Sequence, residues 1–163
     1  VEPMTWMSLF SLCFQTAGAY VATITAAIMV EIPRSLLFKC GWVGALGYLI
    51  YLLVMPGHGP AVATLVAGIG IAILSQLFAR SFRAPVTMFY IPGFFPLVPG
   101  IGVYRTAFYY INDNPAQASY YMVQSALIAG AIALSIFLVD SCLEIYHHLR
   151  NQAKAKRKEQ SHG

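Results

Sequence analysis

An apolar stretch that is rich in proline and glycine, residues 91–105 (IPGFFPLVPGIGVYR), most constrains what this chain can fold into. Proline inside a helix removes a backbone donor and clashes with the carbonyl one turn back, at a cost of about 3 kcal/mol. The residue before each proline is also pushed away from helical geometry. Because Pro92, Pro96 and Pro99 follow one another so closely, a straight helix is excluded here, and we expect unwound backbone over residues 92–100.

Irregular backbone persists in a bilayer only where it is buried in protein or lines a water-filled cavity. We therefore expect this stretch to be the working part of the chain, with peptide groups free to hold a solute. The predicted substrate-binding residues are Pro92, Gly93, Pro96, Pro99, Gly100, Gly102 and Arg105.

The composition indicates an all-α integral membrane protein. Of the 163 residues, 58% are hydrophobic and only 10% are charged, whereas a soluble domain carries about 25% charged residues. The net charge of +4 comes mostly from the C-terminal end, so it does not indicate a nucleic-acid partner.

The apolar segments predict five transmembrane helices, each near the roughly 20 residues needed to cross a bilayer. They form a domain over residues 1–149, and a basic cytoplasmic tail follows over residues 150–163. The fourth helix contains the break. The predicted helices are about 6–30, 36–55, 61–79, 86–111 and 117–146.

Basic residues in the short loops predict the orientation. Loops 31–39 and 80–85 and the tail carry lysine or arginine, whereas turns 56–60 and 112–116 carry none. We expect a multi-pass protein of the inner or plasma membrane, with the N-terminus outside and the C-terminus in the cytoplasm. An odd number of spans suits one half of an inverted 5+5 transporter.

Small and polar residues form a stripe at helical spacing on the first helix. Such a stripe is typical of close helix packing, and pore lining by the polar members is the alternative. The stripe consists of Gln15, Ala19, Ala22 and Ala26, and Thr16 and Thr23 lie beside it.

Arg105 is the sharpest single candidate for binding. It lies one turn after Pro99 and Gly100, and proline suits the first position of a new half-helix. Free amides at that helix start, together with a guanidinium group, make a receptor for a substrate carboxylate. The alternative is that Arg105 extends to the outer lipid headgroups, which the tyrosines nearby favour.

Asp140 and Glu144 are candidates for proton coupling. They lie four residues apart on the fifth helix and repel each other. One that stays protonated within the membrane can carry a proton through a transport cycle. The alternative is an ordinary charged inner end that pairs with Arg80, Arg83 or the tail.

Enzymatic chemistry has no support in the sequence. It contains no metal-ligand cluster, nucleophile triad, phosphate loop or CxxC pair, and we expect neither a cofactor nor a metal. Cys13, Cys40 and Cys142 lie far apart in apolar segments and are expected to be small buried hydrophobic residues.

Several motifs resemble the C-terminal, small-subunit half of the threonine/serine exporter family. They are residues 31–34 (EIPR), 40–47 (CGWVGALG), 84–87 (APVT), 91–100 and Tyr104-Arg105. The resemblance extends to about Arg150. The resemblance departs at Glu31, where an asparagine is expected.

The resemblance implies a two-component secondary exporter, in which this half works with a larger five-span subunit, fused to it or separate. It implies small hydrophilic substrates, either amino acids such as threonine and serine or dicarboxylates such as succinate, and coupling to the proton-motive force. Self-association through the glycine faces is also expected. The rival hypotheses are a channel-like pore without coupling and a non-transporting scaffold that stabilises a partner.

Overall fold

The computed structural model describes residues 6–159, which are helical apart from short turns. The helices are α1 (Trp6–Met29), α2 (Arg34–Phe82), α3 (Thr87–Phe94), α4 (Gly100–Ile111) and α5 (Pro115–Glu159), with a 3-10 turn at Phe95–Leu97 between α3 and α4. The all-helical prediction is confirmed for these residues. Residues 160–163 of the predicted tail lie outside the described part.

α2 consists of two helices that meet at a kink without a separate loop between them. Helical backbone extends through Pro56 and Pro60, and only Gly59 has a non-helical conformation, with φ 79° and ψ 171°. Gly47 contacts Ile71, and Gly70 contacts Ile50. In a straight helix 24 residues span about 36 Å, so these contacts require the chain to reverse at Gly59. The predicted turn at 56–60 is therefore a single reversing residue between two arms, residues 34–58 and 60–82.

α1 packs against the first arm of α2 through small residues. A side chain at Gly44 would overlap Thr23, and one at Gly41 would lie 2.7 Å from the ring of Tyr20. Thr23 is fully buried, and its hydroxyl donates to the carbonyl of Ala19 at 2.7 Å. These contacts support the packing interpretation of the stripe, whereas Gln15 is exposed and donates to Ser11 within its own helix at 3.0 Å.

The broken stretch begins later than the prolines alone predict. α3 continues through Pro92 to Phe94, so the prediction of unwound backbone from residue 92 is wrong for residues 92–94. Pro92 cannot donate to the Met88 carbonyl four residues back, and the Cys40 thiol donates to that carbonyl instead, at 3.4 Å. A side chain from a neighbouring helix thus satisfies the group that proline leaves free.

The departure from α-helix covers residues 95–99. The 3-10 turn is followed by extended backbone at Val98 (φ −61°, ψ 129°) and by Pro99 (φ −78°, ψ 48°), after which α4 begins. The two helical segments on either side are bent by 48°. The predicted fourth helix is therefore a bent pair of short helices.

Three of the described helices are long and apolar enough to cross a membrane, and four are if the bent pair counts as one span. They are Phe10–Met29, Arg34–Phe82 and Pro115–Arg150. Half of the 49 residues of α2 measures roughly 36 Å, close to the roughly 30 Å of a hydrocarbon core. The count of five spans and the 5+5 arrangement stay predictions.

The last helix extends beyond its predicted end. α5 continues as a helix through the basic residues to Glu159, so the backbone conformation does not change at the domain boundary predicted after residue 149. The core lies among the two arms of α2, α3 and the inner face of α5, and its fully buried members include Val43, Ile71 and Phe89.

Candidate functional site

A cavity of about 330 Å³ lies against the broken segment. The break and the start of α4 contribute one wall. The two arms of α2 contribute Tyr48, Tyr51, Pro60 and Thr64, and α5 contributes Tyr120, Tyr121, Gln124 and Ser125. The residues of the broken segment that line it are Pro96, Leu97, Val98, Pro99, Ile101, Gly102 and Arg105.

Arg105 points its guanidinium group toward α5. Its Nη1 donates a hydrogen bond to the Tyr121 hydroxyl at 3.2 Å, and its guanidinium carbon lies 5.2 Å from the centre of that ring. Tyr121 in turn stacks on Tyr109, with ring centres 5.5 Å apart and planes 3° apart. The arginine is thus held at the cavity by an aromatic pair, while its exposed side chain keeps further donors available.

Residues at the start of α4 that line the same cavity have backbone amides without a partner inside the helix. The Gly100 amide donates to the Val98 carbonyl at 2.8 Å, so it is not one of the free amides that the sequence predicts. The amides of Ile101 and Gly102 have no carbonyl four residues back within the helix, and Pro99 provides no side-chain cap. Both residues line the cavity. Partial positive charge from this helix start therefore adds to the charge of Arg105.

The structure gathers some of the predicted binding residues and separates others. Pro96, Pro99, Gly102 and Arg105 line the cavity. Pro92 and Gly93 are buried in the core instead, where a side chain at Gly93 would lie 3.1 Å from both Ile71 and Val43. Gly100 is exposed and is not part of the cavity wall.

Sequence reasoning missed the aromatic and polar side of the cavity. Tyr48 and Tyr51 stack with ring centres 5.6 Å apart. Tyr121, Gln124 and Ser125 share one face of α5, at the helical spacing of three and four residues. Polar side chains at this spacing near the start of an apolar helix are the sequence signal that could have identified these three residues.

Among the described residues that line this cavity, Arg105 alone carries a charge. Larger grooves of about 490 and 510 Å³ run between α2 and α5 and between α4 and α5, but their walls are mostly aliphatic. Grooves of that kind are expected where lipid covers a membrane protein. Among these three sites lined by described residues, charge, hydroxyl groups and unwound backbone converge at the smaller cavity.

The two predicted proton-coupling residues have different surroundings. Asp140 is partly buried, and its Oδ1 accepts hydrogen bonds from the Tyr90 hydroxyl at 2.5 Å and from Nε2 of Gln76 at 2.8 Å. Glu144 is exposed, in a separate shallow groove with Ser141 and His148. Asp140 therefore connects α5 to α2 and α3 through hydrogen bonds.

The Asp140 cluster and the cavity lie far apart along the molecule. Thr64 lines the cavity and Gln76 contacts Asp140. They are twelve residues apart on one helical arm, which is a rise of about 18 Å. In the part of the chain that the structure describes, no group of three or more histidine, cysteine, aspartate or glutamate residues is placed to hold a metal ion.

The family model described as "Threonine/Serine exporter, ThrE" matches residues 15–142. The chain belongs to the threonine/serine exporter family. The match includes the complete broken segment, the residues that line the cavity, and Asp140. This is a transporter family and not an enzyme family, and the resemblance in the sequence is confirmed.

A curated relative from this exporter family extends the comparison. The chain is 27% identical over 124 residues to a "Probable threonine/serine exporter" of Mycobacterium tuberculosis. That alignment covers 75% of this chain but only 23% of the relative. The chain thus spans about a quarter of the length of the exporter that it matches. No solved structure matches the chain. Family membership and the apolar helices together indicate a membrane protein.

Proposed function

We propose that this chain is the small subunit of a two-component secondary exporter of small hydrophilic metabolites. The cavity at Pro96, Gly102 and Arg105 carries the proposal, because it combines a positive charge with a non-helical stretch of backbone. Binding sites in secondary transporters are commonly built from such discontinuous helices, whose half-helix N-termini face anionic groups.

The substrate class that suits the cavity best is a hydroxylated amino acid such as threonine or serine. Arg105 and the amides of α4 receive one carboxylate, and the hydroxyl groups of Tyr48 and Tyr51 offer partners for the substrate hydroxyl. The ammonium group of an amino acid finds neutral acceptors in the tyrosine hydroxyls and the Gln124 amide oxygen, whereas the second carboxylate of a dicarboxylate such as succinate would find no second cation in this wall. Dicarboxylates are therefore the second candidate.

The proposed partner is a larger five-span subunit of the same family, inserted in the opposite orientation. The chain corresponds to 23% of the length of the mycobacterial relative, which leaves room for such a second half in that protein. We place the chain in the inner or plasma membrane, with five spans, the N-terminus outside and the C-terminus in the cytoplasm, because basic residues alternate between its loops. A homo-oligomer is the alternative assembly.

Export is proposed to draw on the proton-motive force through Asp140 rather than Glu144. Asp140 is partly buried and hydrogen-bonded to two other helices, whereas Glu144 is exposed. An ionisable group inside a helical membrane bundle is by default a candidate for a proton pathway.

The test is efflux from cells that contain the chain together with its larger partner. Cells preloaded with labelled threonine, serine or succinate are compared with cells that lack the small subunit. Saturable efflux of threonine or serine that a protonophore reduces supports the proposal. Efflux that is the same with and without the small subunit contradicts it. Flux that does not saturate and is independent of the proton gradient favours a channel-like pore.

A further inference from the structure

We propose that Tyr90 and Gln76 are positioning residues that, with Asp140, form a clamp on the broken segment. Neutralising Asp140 releases this clamp and allows α3 to move. The inference rests on the proposed function for its role in transport, but the clamp itself is tested below without any transport measurement.

The clamp joins three helices at one carboxylate oxygen. Tyr90 comes from α3, Gln76 from the second arm of α2 and Asp140 from α5. The amide of Gln76 also donates to the Tyr90 hydroxyl, at 3.2 Å. Tyr90 is only 7% exposed, so its hydroxyl has little access to competing water. The three side chains therefore fix the position of α3 relative to both neighbours.

The negative charge of Asp140 makes this arrangement sensitive to protonation. Hydrogen bonds to an ionised carboxylate are about twice as strong as those between neutral groups. Protonation removes that charge and weakens the hold of both donors. Among the described side chains, the other charged or titratable groups nearby are Arg80 and Cys142, which line the groove beside Gln76, and Glu144, which is exposed one turn further along α5.

α3 leads directly into the cavity wall. The 3-10 turn begins at the residue after Phe94, and Pro96 already lines the cavity. No flexible loop separates the clamp from the break. A displacement of α3 is consequently transmitted to residues 96–102, and the state of Asp140 acts on the cavity from about 18 Å away.

A native thiol reports the position of α3. Cys40 is fully buried, and its thiol donates to the Met88 carbonyl of α3 at 3.4 Å. Movement of α3 away from α2 uncovers this thiol. Cys13 and Cys142 are exposed, so the expectation that the cysteines are buried is confirmed only for Cys40. Replacing the two exposed cysteines by serine leaves Cys40 as the single reporter.

The experiment measures the rate at which N-ethylmaleimide alkylates Cys40 in the membrane-embedded complex. Asp140→Asn and Tyr90→Phe are expected to react about tenfold faster than the parent, the size expected for one charge-assisted hydrogen bond. Glu144→Gln and Tyr104→Phe are the matched controls and are expected to react at the parental rate. Equal rates in Asp140→Asn, Tyr90→Phe and the parent overturn the clamp.

Two further comparisons separate a clamp from general loss of structure. Asp140→Glu keeps the carboxylate and is expected to retain most of the protection, whereas a variant that reacts as fast as protein denatured in dodecyl sulfate has unfolded. Equal rates in Asp140→Glu and Asp140→Asn overturn the role of the Asp140 charge.

The outcomes also distinguish the clamp from the proposed function. If the complex exports nothing but Cys40 labelling still depends on Asp140, the clamp is supported and the proposed transport function is contradicted. If export is intact but the Cys40 labelling rate is unchanged by Asp140→Asn and Tyr90→Phe, the clamp is contradicted and the proposed function is not.

Discussion

Gly47 and Ile71 lie in direct contact, although 24 residues of the same helix separate them along the chain. A side chain at Gly47 would overlap the Cγ1 and Cδ1 atoms of Ile71, which is itself fully buried. The contact exists only because the chain reverses at Gly59. It holds together the two arms that carry Tyr48 and Thr64 to the cavity.

Gly47→Ala is expected to destabilise the protein. The added methyl group forces the two arms of α2 apart, and overpacking of this kind costs about 1–3 kcal/mol. Gly130→Ala on α5 is the matched control, because nothing lies within 4 Å of the added carbon there. The free energy of unfolding, measured by dodecyl sulfate titration in mild detergent, checks the difference. Equal stability of the two variants contradicts the hairpin.

Gly102→Ala is expected to impair substrate binding through Ser125. The new methyl group overlaps the Ser125 hydroxyl oxygen, whereas the Ser125 Cβ lies at an ordinary contact distance of 3.6 Å. Adding Ser125→Ala removes the oxygen and is expected to restore the half-saturating substrate concentration. Ser125→Ala alone loses only a hydrogen bond to the Tyr121 carbonyl of its own helix, so a small effect is expected. Failure of the double variant to recover contradicts this packing.

Tyr121→Phe is expected to weaken binding moderately. It removes the hydroxyl that accepts from Arg105 but keeps the ring that stacks on Tyr109. The donor of this bond is charged, but the pair is exposed, so competing water limits its contribution to about 1 kcal/mol. The half-saturating concentration is therefore expected to rise severalfold. Tyr104→Phe is the control, because Tyr104 lies outside the cavity wall. An equal effect of both changes contradicts the role of Tyr121.

Single cysteines placed in the loops test the proposed topology. In a background without native cysteines, His58→Cys and Asn112→Cys are expected to react in intact cells with a maleimide that cannot cross membranes. Arg83→Cys is expected to react only after the membrane is opened, because basic loops stay in the cytoplasm. The opposite pattern would reverse the orientation, and labelling of residues 58 and 83 from the same side would contradict two crossing arms in α2.

The sequence predicts that residues 91–100 depart from a straight helix, because proline acts locally. It does not locate the start of the departure, because the effect of Pro92 depends on a distant residue. The Cys40 thiol satisfies the Met88 carbonyl that Pro92 leaves without a donor, and α3 continues to Phe94. That thiol lies 48 residues away in the chain, and no local pattern indicates it.

For the candidate site too, the sequence predicts the residues close to the prolines but not those that helix packing brings to the cavity. Arg105 and Gly102 are identified by their positions after Pro99, but the tyrosines opposite them come from α2 and α5 and depend on how the helices pack. Helical periodicity places Asp140 and Glu144 on one face. Only the packing of Tyr90 and Gln76 against Asp140 distinguishes the two carboxylates.

The central claim is that the cavity beside the broken segment binds the substrate through Arg105, and efflux by Arg105→Gln tests it most directly. Flux of labelled threonine or serine is measured in cells that contain the larger partner and is normalised to the amount of inserted protein. Because Arg105 is the charged group of the cavity wall, its loss is expected to reduce saturable flux more than tenfold, with partial activity in Arg105→Lys. Near-normal flux through correctly inserted Arg105→Gln would contradict the account.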